Sequence, residues 1–200
     1  MKNQILAIFS IMSFFSILLY GCAEPEETAG ESLTGPIAEL QGTWVTGCNA
    51  YGVGSVEGTF TVSGTNISEK STHYSDKNCK STDLKVDSTY NNLRIGEKIT
   101  HPDGLTGYRA TYVVQSIENT PLSASQTSTY NNPGGSSYCG VSWVISTPID
   151  ILGRNCSGIT TPKNSTMFNL YKLTGNNIYL GTPDPTNYPG AVNTIKYVKQ

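Results

Sequence analysis

Beyond its N-terminal apolar run the chain keeps no helical repeat going; its apolar residues fall in short alternating runs bounded by Gly, Asn, Pro and Ser. These runs cover residues 42–45, 56–62, 107–117, 141–145, 167–173, 178–180 and 194–198. Thr, Ser, Val and Tyr dominate them, and β-branched and aromatic side chains suit a pleated, half-buried surface. The pattern predicts an all-β domain.

Two segments show how the strands divide their faces. In Tyr108-Arg109-Ala110-Thr111-Tyr112-Val113-Val114 one face takes Tyr108, Ala110, Tyr112 and Val114 and the other Arg109, Thr111 and Val113. Residues 167–173 carry partly apolar side chains on both faces in the same way. Such mixed faces suit a closed barrel. Between the runs, Val62-Ser63-Gly64-Thr65-Asn66 and Leu173-Thr174-Gly175-Asn176-Asn177 place Gly and Asn where hairpin tips need positive φ. Neighbouring strands are therefore expected to be antiparallel, in an up-and-down meander, with a β-sandwich as the alternative.

The chain begins with Met1 and Lys2, then runs apolar from Ile5 to Leu19 before Gly21 and Cys22. That is the form of a secretory leader, and it is short of the roughly 18–20 residues that span a bilayer. Leu19-Tyr20-Gly21-Cys22 resembles the bacterial lipobox, with an aliphatic residue three before the cysteine and a small one just before it. The resemblance implies a signal peptide over 1–21 and a lipidated Cys22. Acyl chains contribute about 0.8 kcal/mol per buried methylene, so a multiply acylated cysteine would hold the membrane permanently. Ala23 is not the aspartate that retains enterobacterial lipoproteins at the inner membrane, so the outer membrane is the expected residence. Residues 22–36 carry Glu24, Glu26, Glu27 and Glu31 with no basic partner and few apolar residues, the composition of a flexible tether. Residues 37–200 then form a single domain.

Four cysteines follow Cys22: Cys48, Cys79, Cys139 and Cys156. In an oxidising compartment an even set reads as two disulfides, for which three pairings can be drawn. Cys48 with Cys79 and Cys139 with Cys156 is favoured, because each then closes a local loop. No Cys-x-x-Cys pair is present and His73 and His101 have no ligand spacing to the cysteines, so no metal or other cofactor is expected. With net charge −2 and no basic patch, nucleic acid is not an expected partner. No Gly-x-Ser-x-Gly elbow occurs and every mature thiol has a disulfide partner to hand, so the chain is not expected to be an enzyme.

At the head of the domain, Leu40-Gln41-Gly42-Thr43-Trp44-Val45 resembles the first motif of lipocalins and lipocalin-like bacterial lipoproteins. There a Gly-x-Trp opens the first strand and the Trp closes one end of an eight-stranded barrel; Gly42 and Trp44 hold those positions here. Residues 168–181 are similar to the late hairpin of that group. The resemblance implies a lipocalin-like barrel that binds a small apolar ligand, with Tyr112, Val114, Trp143, Phe168 and Tyr179 as candidate wall residues. The competing expectation is a surface-displayed interaction or adhesion module without a small-molecule ligand.

Overall fold

A computed structural model describes residues 34–100, 106–132 and 137–200. The leader, Cys22 and the greater part of the tether lie outside the described residues. The described chain opens with a short helix, α1 (Pro36–Leu40). Four strands follow: β1 (Gly42–Tyr51), β2 (Gly54–Ser63), β3 (Asn66–Tyr74) and the long β4 (Thr82–Thr100). After β5 (Thr106–Pro121) the chain makes an excursion over residues 122–165. It contains a helix, α2 (Ala124–Asn131), a 3-10 turn (Tyr138–Gly140) and three two-residue strands, β6 (Ile149–Asp150), β7 (Asn155–Cys156) and β8 (Ile159–Thr160). Then β9 (Thr166–Thr174), β10 (Asn177–Gly181) and β11 (Val192–Lys199) complete the domain.

The strands form a closed antiparallel barrel. Going round, β4-β3-β2-β1-β11-β10-β9-β5 are neighbours, and β4 also pairs with β5, so the eight strands return on themselves; β6 hangs as a ninth on the far half of β5. The up-and-down order holds throughout, with the excursion as its single detour. The hairpin tips are where Gly and Asn predict them: Gly64 and Gly175 have φ of 60° and 59°, and the strands beside them pair Ser63 with Asn66 and Thr174 with Asn177.

Alternation decides which side chains fill the barrel. Trp44, Phe60, Val62, Ile67, Tyr90, Ala110, Tyr112, Tyr171 and Ile178 belong to one buried cluster. α1 seals one end of it. Leu40 is buried, Ile37 packs against the cluster, and Gln41 clamps the β2–β3 tip by donating to the carbonyl of Gly64 and accepting from its amide. Trp44, 1 % exposed, donates its indole N–H to the Leu40 carbonyl at 2.8 Å. On its other side the Lys199 ammonium lies 5.0 Å from the ring, in the range of a cation–π contact, and donates to the Glu39 carbonyl.

Two disulfides staple the chain away from that end. Cys48 on β1 is joined to Cys79 in the β3–β4 connection, and Cys139 to Cys156 within the excursion, the pairing favoured from the sequence. In the β3–β4 connection Asp76 accepts hydrogen bonds from the amides of Asn78, Lys80 and Ser81, and Ser55 donates to the Asp76 carbonyl.

Two local expectations need correction. Residues 141–145 are not a strand; they run through the excursion, tied to α2 by Asn131, which donates to the Trp143 carbonyl and accepts from its amide. α2 itself is polar all round, with Ser123 capping its N-terminus by accepting from the Gln126 amide, so it carries no apolar period to read.

Candidate functional site

Inside the barrel, at the end away from α1 and Trp44, is a cavity of about 140 Å³. It is walled by Phe60 on β2, Ile67 and Glu69 on β3, Tyr90 on β4, Tyr112 on β5, Asn169 on β9, Leu180 on β10, and Ile195 and Tyr197 on β11. Gly181, Thr182, Pro183 and Asn193 stand on the side of the β10–β11 connection. A second void near α1, lined by Leu40, Leu93 and Ile178 among others, is about 20 Å³, room for one water. The barrel is therefore filled at the Trp44 end and hollow at the other.

Glu69 reaches this interior because side chains alternate along β3. Ile67 faces in, so Glu69, two residues on, faces in as well. The register confirms it: Glu69 lies opposite Phe60 on one side and Ser88 on the other. Its carboxyl makes no hydrogen bond or ion pair among the described residues, and no Lys, Arg or His lines the cavity. Glu69 keeps some accessible surface because the cavity itself touches it. Protein nevertheless surrounds it, and the loss of solvation raises its pKa.

The tyrosines respond to the same enclosure. Burial raises the pKa values of Tyr90, Tyr112 and Tyr197, and the nearby Glu69 charge adds to the effect in all three. Tyr90 and Tyr112 meet edge to face at 4.8 Å. Asn169 donates to the Tyr112 hydroxyl at 2.9 Å and accepts from the Leu170 amide at 2.7 Å, so its amide is held from both ends. Gly181 makes room for it: a Cβ there would stand 2.7 Å from Asn169 Oδ1 and 2.8 Å from Pro189 Cγ.

The candidate wall residues named from the sequence divide into three groups. Tyr112 lines the cavity, and Val114 is fully buried in the core beside it. Phe168 and Tyr179 lie on the opposite faces of their strands: Phe168 packs against Tyr188 at 5.1 Å and Tyr179 lies under the Lys172 ammonium at 4.9 Å. Each stands one residue out of step with an inward neighbour, Asn169 or Ile178, which reverses its face. Trp143 is not in the barrel wall. Its ring joins Tyr130 and Tyr138 in an aromatic cluster of the excursion, and its indole N–H donates to the Tyr138 carbonyl.

No family model matches the chain. No curated protein does either. The site therefore has to be read from its own chemistry. Among the described residues no group of three or more His, Cys, Asp or Glu is placed to hold a metal ion, and no described helix is long and apolar enough to cross a membrane.

The raised pKa of Glu69 makes a testable difference in stability. A carboxyl whose folded pKa exceeds its ordinary value of 4.5 binds protons more tightly folded than unfolded. Its contribution is thus complete below that value and lost as pH climbs through the folded pKa. Asp76, held low by the Asn78 amide, and Asp184, held low by Thr186, work in the opposite sense, so comparison with a variant isolates Glu69. Glu69→Gln is expected to melt about 2–4 °C above the parent at pH 8, the shift that one kcal/mol produces in a domain of this size. The gap should shrink toward pH 4 in calorimetric scans. An unchanged gap across that range would mean that Glu69 is solvated as an ordinary carboxylate.

Proposed function

We propose that the protein is held to the cell envelope by a lipidated Cys22, in the outer membrane, and that its lipocalin-like barrel binds a small molecule at its hollow end without transforming it. The observation that carries this reading is the cavity of about 140 Å³, with Phe60, Ile67 and Leu180 as apolar wall and Glu69, Asn169 and the tyrosine hydroxyls as polar groups. Binding sites for small molecules combine these two kinds of surface, an apolar wall and a few placed polar groups. The size sets the ligand. Pockets for drug-sized molecules measure roughly 300–1,000 Å³, whereas a cavity of roughly 150 Å³ accepts a benzene-sized one. The ligand expected is a compact molecule with an apolar body, and a long acyl chain has no room.

The interaction-module reading draws on a different observation. Tyr51 and Val53 at the β1–β2 turn are 74 % and 90 % exposed, and Val144 and Ile159 on the excursion 57 % and 72 %. Exposed apolar side chains of this kind are what a protein-contact surface draws on.

One preparation tests both. The protein is extracted in mild detergent from its host and analysed by native mass spectrometry. A stoichiometric small-molecule adduct is the expected result. A ligand-free mass, together with no uptake of benzene-sized probes, would overturn the cavity reading and turn attention to the exposed side chains. In the same host, Cys22→Ser is expected to lose acyl labelling and to leave the membrane fraction.

A further inference from the structure

We infer that the ligand is a small organic ammonium ion, its apolar body against Phe60, Ile67 and Leu180 and its charged nitrogen between the Glu69 carboxylate and the rings of Tyr90, Tyr112 and Tyr197. The inference rests on the small-molecule reading above and names the chemistry of that site. Three observations carry it.

Glu69 faces into the barrel from the middle of β3 with no partner among the described residues. An enclosed carboxylate without a counter-charge is costly, and buried charges in proteins are paired. Among the described residues, no Lys, Arg or His lines the cavity. Phe60 faces Glu69 from β2, Ser88 and Tyr90 from β4, Tyr112 from β5, Asn169 from β9 and Tyr197 from β11. A cationic occupant would supply the missing charge.

The rest of the wall suits a cation equally well. Tyrosine rings attract cations through the negative potential of their faces, more strongly when water is excluded, and a cluster of such rings is how proteins hold ammonium groups. Tyr112 is already fixed, edge to face with Tyr90 and bonded to Asn169, so these groups need no rearrangement to receive a ligand.

Finally, the cavity limits how much apolar body the ammonium can carry. About 140 Å³ admits one ring or a short branched chain.

The raised pKa of Glu69 fits this arrangement: burial without a counter-charge penalises the carboxylate, and a cation beside it would relieve that penalty.

The test uses three probes of one shape: benzylammonium, benzyl alcohol and benzoate. The disulfide-intact protein is titrated with each at pH 7.5 by calorimetry, and binding is located by NMR shift changes at the tyrosine side chains. Benzylammonium is expected to bind at least roughly tenfold more tightly than benzyl alcohol, the usual gain from a hydrogen bond to a charged group. Benzoate should not bind. In Glu69→Gln the ammonium should lose roughly that same factor while the alcohol keeps its affinity, which also shows that the variant is folded. In the parent, ammonium binding should weaken in acid as Glu69 takes up its proton, because the three tyrosines facing it do not titrate there.

If alcohol and ammonium bind alike, or if Glu69→Gln leaves the ammonium unaffected, the cation assignment is wrong and the small-molecule site stands. Preferential binding of benzoate would also overturn the assignment. If none of the three binds, the cavity reading itself falls.

Discussion

Trp44→Ala is expected to remove about 3–5 kcal/mol of stability, the range for truncating a large buried aromatic side chain. The residue is 1 % exposed and lies at the centre of the sealed end of the barrel. Three kinds of contact go together: packing against the core cluster, the indole donor to the Leu40 carbonyl, and the face that Lys199 covers. Losing the indole leaves the Leu40 carbonyl short of its partner and the end of α1 without its anchor. In a domain of this size each kcal/mol moves the midpoint by about 2–4 °C, so the melting temperature should fall by roughly 10 °C or more. Trp44→Phe separates the contributions, since it keeps much of the packing and gives up the donor; an intermediate loss is expected. A drop of only a degree or two for Trp44→Ala in a thermal melt would mean that α1 and Lys199 do not depend on the ring.

The second large effect concerns the two disulfides, which should be unequal in size and in place. With sequence separations of 31 for Cys48–Cys79 and 17 for Cys139–Cys156, chain entropy gives contributions of about 3.7 and about 3.1 kcal/mol. The first bond ties β1 to the β3–β4 connection, within the barrel itself. Replacing Cys48 and Cys79 with serine should therefore lower the midpoint of the whole domain. The second bond lies within the excursion, next to the Tyr130, Tyr138 and Trp143 cluster. Replacing Cys139 and Cys156 should loosen that cluster, shift Trp143 emission toward that of an indole in water, and leave Trp44 shielded. Chemical denaturation followed by tryptophan fluorescence and by backbone circular dichroism distinguishes the two pairs. Coincident transitions and an unchanged spectrum in both variants would refute the local role given to the second bond.

Much of the barrel was readable because its determinants are local. Gly64 and Gly175 mark two tips, Gly42 and Trp44 open the first strand, and residues 108–114 alternate cleanly between two faces. The rest depended on tertiary context. β4 carries no such signal, because Thr82–Thr100 is mostly polar and its faces are set by its neighbours rather than by its own apolar pattern. Residues 141–145 have strand-like composition yet are held by Asn131 instead of by another strand. The hollow end was harder still. The period-2 pattern running from Ile67 places Glu69 inside, but an inward acid in a polar-looking segment is indistinguishable from a solvated one until the strands opposite are known. Phe168 and Tyr179 face outward for a reason that composition does not carry: where both faces of a strand hold apolar residues, size does not say which face is inside.

The strand that completes the barrel is the partner of the strand that begins it: β11 pairs with β1 through Lys199 opposite Trp44 and Val198 opposite Val45. No subset of consecutive strands can close the ring. Folding therefore waits on contacts between the two ends of the domain, the kind of topology that folds slowly. Until then β1 and β11 are open edges, able to pair with other chains. The excursion lies on the same path, because β5 cannot meet β9 until residues 122–165 have been looped out. The entropy of closing a loop grows with its free length. A chain that forms Cys139–Cys156 early has a shorter free loop to close, so oxidation and barrel closure are linked in time, and conditions that delay the bond lengthen the period in which the edges stay open.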